Sequence, residues 1–514
     1  MDSMLANFGI GFGAVLSSQP FTLFGLTLSV PMNLVYCFFG AFLGTLIGVL
    51  PGIGPVATIA MLLPATYALS PLGGLIMLAG IYYGAQYGGS TTSILVNLPG
   101  EVSSVVTCLD GYQMARRGRA GVALTTAALG SFFAGCVATM LVAAFAAALA
   151  VIADKFGPTE FFSMMVLGLI SAVALASGSL VKALAMVCLG LLGGLVGTDV
   201  NSGASRYVFN IPELSDGIGV VVVAMGMFGF AEVIKNVEQK EAREVFTSKV
   251  TSMFPSKDDY QRMIAPILRG TALGSLLGIL PGGGVILASF SAYTLEKRVS
   301  KNSAEFGKGA IEGVAAPESA NNAAAQTSFI PLLTLGIPTG ATMAMLVGAM
   351  MIHNIQPGPQ VMTSNPNLFW GLIVSMWFGN LMLVVLNLPL IGIWVKLLAV
   401  PYRFLYPAIL VFCSIGAYTV NNSTFDVLAT AGFGLLGYAF LKLGCEPAPL
   451  LLGFVLGPMM EENFRRSLLL SRGRFTMFFT NPLSLALLVT AAMLLVIVTL
   501  PSIKSRREET FKEK

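Results

Sequence analysis

Charge is what this chain has least of. Only 11% of its 514 residues are Asp, Glu, Lys or Arg, against about 25% in ordinary soluble domains. Hydrophobic residues make up 55%, and the mean hydropathy is +0.81. These values exclude a soluble globular fold. The apolar runs are long rather than short and alternating, which excludes a transmembrane β-barrel. A net charge of +4 is too small for a nucleic-acid footprint and reads as membrane topology. One histidine, His353, cannot build a metal site, and its place at the end of an apolar run reads as packed or interfacial. The six cysteines (37, 108, 136, 188, 413 and 445) lack CxxC spacing and read as reduced, packed thiols. There is no Walker A sequence for an ATP-driven pump and no HExxH, and a serine nucleophile would have no nearby histidine base. No Lys or Arg precedes Arg116, and the N-terminus MDSMLANFGIGFG lacks a basic region and a clear cleavage site. It does not read as a secretory signal peptide.

What remains is apolar sequence punctuated by charge. Candidate membrane runs cover 32–50, 55–69, 72–98, 122–153, 161–177, 180–197 and 217–234. A second series covers 264–295, 309–335, 338–353, 368–396, 404–420, 427–443, 447–460 and 483–501. A full span needs about 20 residues, so these predict about 11–13 full crossings plus half-helices. The charged stretches Asp110–Gly121, Lys235–Arg262, Glu296–Lys308, Glu461–Arg474 and Ser505–Lys514 separate them. Positive-inside logic would place the Arg-rich stretches in the cytoplasm. That conflicts with Leu483–Leu500 as a single span between the last two. Lys182, Lys396 and Lys442 stand at the edges of apolar runs, where a lysine snorkels to the interface.

The runs repeat. GTLIGVLPGIG (44–54) returns as GSLLGILPGGG (274–284), 230 residues on. Thr92-Ser93 and Pro99 match Thr327-Ser328 and Pro338 at offsets of 235 and 239. LAMVCLGLLG (184–193) matches LATAGFGLLG (428–437) at 244. Ordered matches with slowly growing offsets predict a duplication. The chain divides into an N-terminal segment (1–29), a first repeat (30–235), a charged linker (236–263), a second repeat (264–465) and a C-terminal helix and tail (466–514). The expected fold is an all-α polytopic membrane protein with two internal repeats, inverted by analogy with transporter folds. Each half carries a Leu-Pro-Gly break, at 50–52 and 280–282. Pro removes a donor and Gly relaxes the backbone, so a helix stops or reverses there. Paired breaks predict re-entrant or discontinuous helices that flank a transport site.

A polar run follows each break: YGGSTTSILVNLPG (87–100) and PESANNAAAQTS (317–328). Polar groups at membrane depth are costly unless they face a cavity, a partner or a ligand. Hydroxyl and amide oxygens suit Na⁺, while helix N-termini and side-chain donors suit a carboxylate. The competing reading is helix-packing glue, strongest for the Ser and Ala members. Ser90, Thr91, Thr92, Asn97, Gly100, Asn321, Asn322, Thr327, Ser328 and Thr339 are the candidate substrate-binding residues. Glu318, Gly52, Gly282 and Asn321 are the candidates for cation coupling, with Na⁺ or H⁺ as the ion and no other cofactor. Glu318 is either a protonatable coupling group or a buried hydrogen-bond acceptor. A passive channel would share these breaks. A membrane-embedded enzyme would need His, Asp or Arg at depth, and no such constellation is present.

The runs 83–100 and 317–340, with LPGIGP (50–55), LPGGG (280–284) and the Asp110–Arg119 loop, resemble the large membrane subunit of tripartite tricarboxylate transporters, the TctA family. The resemblance covers essentially the whole chain. It implies a multi-pass permease of the bacterial inner membrane, importing a tricarboxylate or related organic anion on a cation gradient. It also implies two partners: a small four-helix membrane subunit and a periplasmic solute-binding protein.

Overall fold

In the computed structural model, residues 2–23, 26–50, 54–153, 156–176, 179–199, 202–238, 253–280, 284–358, 360–398 and 402–499 are described. The protein is almost wholly helical. The first half carries α1 (Asp2–Leu16), α2 (Met32–Val49), α3 (Pro55–Tyr67), α4 (Pro71–Val96), α5 (Ala120–Ala153), α6 (Pro158–Leu175) and α7 (Leu180–Gly194). It ends in α8 (Val220–Ala224), a π-helical stretch Met225–Phe230 and α9 (Ala231–Glu238). The second half carries α10 (Lys257–Leu277), α11 (Gly284–Val299), α12 (Glu312–Thr327), α13 (Phe329–Leu335) and α14 (Ala341–Ile352). It continues with α15 (Pro366–Asn387), α16 (Ile391–Leu398), α17 (Tyr402–Asn421), α18 (Thr424–Lys442), α19 (Pro447–Leu470) and α20 (Pro482–Thr499).

Two small antiparallel pairs interrupt the helices, Gln19–Leu23 with Leu26–Val30 and Gly197–Thr198 with Ser205–Arg206. The sequence reading placed no element in residues 1–29. The structure places α1 there and packs it on α15, where Gly11 lies against the Trp370 carbonyl and Phe8 meets Trp370 edge-on.

Among the described residues five helices have the length and hydropathy to cross a membrane: α2, the Ala120–Phe145 part of α5, α15, α18 and α20. Six shorter apolar helices accompany them. This differs from 11–13 full crossings because Pro, Gly and polar residues shorten or dilute the apolar runs. The run 264–295, for example, is divided between α10 and α11. Around the two Leu-Pro-Gly sequences, α2 ends at Val49 and α3 begins at Pro55, and α10 ends at Leu277 and α11 begins at Gly284. Residues 51–53 and 281–283, with Gly52 and Gly282, lie outside the described residues.

Two helices form the core. From Gly73 to Leu95 α4 is buried, and α12 is buried along its whole length. Each is gripped by a glycine-lined partner. Side chains added at Gly40, Gly44 and Gly48 of α2 would come within 2.3–2.5 Å of the Met77, Ile81 and Ala85 carbonyls of α4. At Gly270 and Gly274 of α10 and at Gly278, which caps it, they would come within 2.2–2.4 Å of the Ala316, Ala320 and Ala324 carbonyls of α12. Small residues let helix backbones approach this closely, which is how helices associate where lipid is as apolar as leucine.

The periphery is exchanged between halves. Gly190 and Gly194 of α7 pack on the Leu450 and Phe454 carbonyls of α19. Gly434 of α18 packs on Phe230, and Gly226 packs on the Thr430 carbonyl. Among the described residues, most ion pairs fall in two clusters, with Lys442–Glu238 apart from both. One joins Arg119 to Asp259, Arg262 to Glu305 and Glu312, and Arg269 to Glu296. The other joins Arg206 and Arg465 to Glu461, and Arg465 to Asp199. Burial would raise the Asp259 carboxyl, but Arg119 and the Ser256 donors outweigh it and hold it below the ordinary range.

Candidate functional site

The candidate site is built around Glu318 in the middle of α12. Its position is set from outside the helix. The buried Asp110 carboxylate accepts the backbone N–H groups of Gly309 (2.7 Å) and Ala310 (2.9 Å) and the Tyr293 hydroxyl (2.9 Å). It therefore holds the chain that enters α12, where otherwise unsatisfied helical N–H groups favour an anion. Gly313 leaves the room: a side chain there would meet the Asp110 carboxylate at 2.2 Å.

Glu318 is 1% exposed. Its carboxylate oxygens accept hydroxyls from two places in the first half, Ser90 of α4 at 2.6 Å and Thr107 in the turns before α5. Asn322, one turn on, donates to Ser131 Oγ of α5 at 2.6 Å and to the Glu318 carbonyl at 3.2 Å. Thus α4, the turns that follow it, α5 and α12 meet at one carboxylate. Beside it lies a cavity of about 10 Å³, lined by Tyr87, Ser90, Thr91, Ser131, Glu318 and Asn387 among others. That volume suits about one water molecule.

Among the described residues, no ion pair reaches Glu318; those present join other carboxylates. Buried polar atoms without a partner include the Tyr87 hydroxyl, which lines the cavity, and, on α12 itself, both side-chain heteroatoms of Asn321, Asn322 Oδ1 and Gln326 Oε1. A buried polar atom without a partner costs about 1–3 kcal/mol. Such atoms are completed by water, an ion or a ligand.

Of the sequence-predicted residues, Ser90, Thr91, Glu318, Asn321 and Asn322 gather here. Others go elsewhere. Thr92 turns to α2, donating toward the Val49 carbonyl at 2.9 Å. Thr327 bonds the Ala323 carbonyl at 3.1 Å and presses on Gly278, while Ser328 bonds the Ala325 carbonyl at 2.6 Å. Asn97 is exposed and ends α4 with φ 56°, the left-handed cap conformation an asparagine tolerates. Gly100 crosses α2 and α4 so closely that a side chain would sit 2.4 Å from both the Gly48 carbonyl and Gly89 Cα. Thr339 is buried between α13 and α14, outside the cavity lining. His353 stacks on Tyr67, and the six cysteines are free thiols.

Sequence reading missed Thr107 and Ser131. Both look like ordinary hydroxyl residues, and only the fold brings them to Glu318.

The family profile described as "Tripartite tricarboxylate transporter TctA family" matches residues 34–452. The chain belongs to the TctA family. This is a transporter family and not an enzyme family. Among its relatives is an "Uncharacterized 52.8 kDa protein in TAR-I ttuC' 3'region" of Agrobacterium vitis, 57% identical over 513 residues and matched over 100% of both chains. An "Uncharacterized protein in TAR-II ttuC' 3'region" from the same organism is 62% identical over 240 residues. That match covers 47% of this chain and 99% of the relative. No solved structure matches. The polar junction at Glu318 lies in the buried contact between the first and second halves of the chain.

Proposed function

We propose that this chain is the large permease subunit of a binding-protein-dependent secondary transporter of the bacterial inner membrane. It imports an organic carboxylate, a tricarboxylate or a relative of one, on a Na⁺ or H⁺ gradient. A small four-helix membrane subunit and a periplasmic solute-binding protein complete the system. The observation that carries this reading is the buried junction at Glu318. A carboxylate that has no basic partner among the described residues and is held by hydroxyls of the other half is the kind of group a transporter keeps at depth.

The halves read as a duplicated pair, and the packing supports it. The glycines of α2 recur in α10 at an offset of 230 (Gly44 and Gly274), as the sequence matches have it. Their contacts on α4 and α12 recur at 239 (Ile81 and Ala320), as do the left-handed caps Asn97 and Gly336. In that register Thr92 falls opposite Pro331, four residues from the Thr327 suggested by the Thr-Ser matches. The exchange of α7 onto α19 and of α18 onto the π-helical stretch supports reading the halves as a two-fold pair.

The test is uptake in proteoliposomes containing this chain, the small subunit and the loaded binding protein. Accumulation against a substrate gradient, dependent on a cation gradient, is the expected result. Uptake that only equilibrates and ignores the ion gradient would make the protein a channel. Wild-type rates in both Ser90→Ala and Asn322→Ala would dismiss the site.

A further inference from the structure

The helices sort the loops into two ends. Ser90 meets Glu318 and Tyr82 meets Phe329, so α4 and α12 run antiparallel. One end therefore holds the turns after α4 with the starts of α10 and α12, joined by Arg119–Asp259 and by Asp110 at Gly309. The other end holds the start of α4, where Tyr67 stacks on His353. The segment 199–219 belongs to this second end, since Gly348 of α14 lies against Val220. Arg206 and Asp199 tie the last turns of α19 to it through Glu461 and Arg465. From Val220 the chain runs back to Glu238 at the first end, where Glu238 pairs with Lys442 and Lys182 reaches the Leu443 carbonyl. The Arg-rich stretches 110–121 and 461–474 thus lie at opposite ends. Segments 110–121, 257–262 and 297–308, with Lys182, Lys235 and Lys442, give the first end twelve Lys or Arg. Segments 67–73, 199–219, 353–366 and 461–476 give the second end five. By the positive-inside rule the second end faces outward.

At that outer end the chain between α7 and α8 forms a braced loop. Its root is closed, because Thr198 donates both its N–H and its hydroxyl to the Ser215 carbonyl at 2.9 Å. Gly197 backs onto Gly217, whose backbone a side chain would meet at 2.8 Å. Its flank is held by the second half. Arg206 donates to both Glu461 oxygens at 2.8 and 2.9 Å, and Arg465 donates to Asp199 at 3.0 Å. Its tip is strained: Tyr207, Phe209 and Asn210 take φ values of 54°, 47° and 60°. Bulky side chains rarely adopt that conformation, and it persists only where the surroundings fix it. The tip presents aromatic surface, with Tyr207 52% and Phe209 78% exposed. Glu213 and Asp216 stand exposed beside it, and among the described residues no ion pair reaches either. Outward aromatic rings suit a lipid interface or a protein partner. The two free carboxylates decide between them. Anionic headgroups repel them, whereas a protein cleft edged by Lys or Arg pairs with them. A loop fixed in advance also loses little freedom when a partner binds.

We propose that the loop 197–217 is the outer-face docking site for the soluble solute-binding protein. Tyr207 and Phe209 seat in an apolar cleft of that partner, and Glu213 and Asp216 meet basic residues at its rim. The proposal rests on the transport reading above and adds to it a surface and its chemistry. Because the loop is braced by residues of both halves, a partner seated there bears on both.

The test places the photocrosslinking residue benzoylphenylalanine at Phe209 in cells that make the whole transporter, with Lys301, exposed at the first end, as the control position. The expected product at position 209 is a crosslink to a soluble solute-binding protein, identified by mass spectrometry, with none at 301. Crosslinks at 209 to lipid alone, to the small membrane subunit alone or to a cytoplasmic protein overturn the proposal. In proteoliposomes Phe209→Ala is expected to raise the KM for the loaded binding protein by about tenfold, with the maximal rate within about twofold. Glu213→Gln combined with Asp216→Asn is expected to raise it less, and the difference should vanish at high salt. A wild-type KM in Phe209→Ala, with uptake still dependent on the binding protein, sinks the docking site and spares the transport reading. A crosslink to that protein in a chain that takes up no carboxylate does the reverse.

Discussion

The two core helices, α4 and α12, are built alike and used differently. Each is buried, and each is clasped by a partner whose glycines sit on its carbonyls. At the packing register of 239, Glu318, Asn321, Asn322 and Gln326 of α12 correspond to Ala79, Tyr82, Tyr83 and Tyr87 of α4. The helix with the carboxylate and amides thus faces a helix with hydroxyls, and the two join through Ser90 and Glu318 at 2.6 Å. The lesson is that one packing scaffold serves both halves, while the polar chemistry is asymmetric. At Glu318 the acceptor comes from one half and its hydroxyl donors, Ser90 and Thr107, come from the other, so this contact is completed only when both are in place.

The sharpest way to break this comparison is Glu318→Gln, which keeps the shape and removes the charge. Uptake per folded protein should fall by about a hundredfold, the worth of two hydrogen bonds to a charged group. A wild-type initial rate would mean that the asymmetry has no functional weight. The shared scaffold is probed by Gly44→Val and Gly274→Val. Overpacking of this kind costs typically 1–3 kcal/mol, about 2 kcal/mol in each half, and both should lower the melting temperature together. If one half tolerates valine and the other does not, the two clasps are not equivalent.

Ser90 and Thr92 sharpen the contrast within α4. Ser90→Ala should cut uptake about tenfold by removing one donor to Glu318. Thr92→Val should leave uptake within about twofold and lower stability by about 1 kcal/mol, since Thr92 bonds only backbone carbonyls. Equal losses of uptake in the two would contradict the division between site and glue. The smallest effect belongs to the Arg119–Asp259 pair outside the core, whose arginine is 40% exposed. Asp259→Asn should cost about 0.5–1 kcal/mol after solvent screening. The Asp259 pKa is depressed in the folded protein. Its contribution is therefore complete above the unfolded carboxylate value and is lost as pH falls through the folded one. A pH series of melting temperatures for wild type and variant, converging in acid, checks the sign.

Much of the fold was legible because membrane burial writes itself into composition. The apolar runs, the two polar runs and the paired Leu-Pro-Gly sequences are visible in the sequence itself. The direction of each side chain was only half legible. Ser90 and Thr92 lie about 200° apart around a helix of 3.6 residues per turn, so they could not both face Glu318. That geometry was available in the sequence, but nothing there said which of the two faced inward. Thr107 and Ser131 carried no local sign at all. Residues 1–29 hid α1 because its 15 residues are too short to stand out as a span.

By itself, then, the sequence determined the solvent this protein lives in, the two stretches rich in expensive polar groups, and the family resemblance. Those properties follow from local composition and from residues close together in the chain. The tertiary structure alone decided which members of the two stretches meet. Ser90 and Glu318 are 228 positions apart, and Asn322 and Ser131 are 191 apart. No periodicity reaches across such distances. The pairs are set by how the glycine-lined clasps seat α4 and α12 against each other and α5, and a shift of one residue along either helix would turn a different face to the junction.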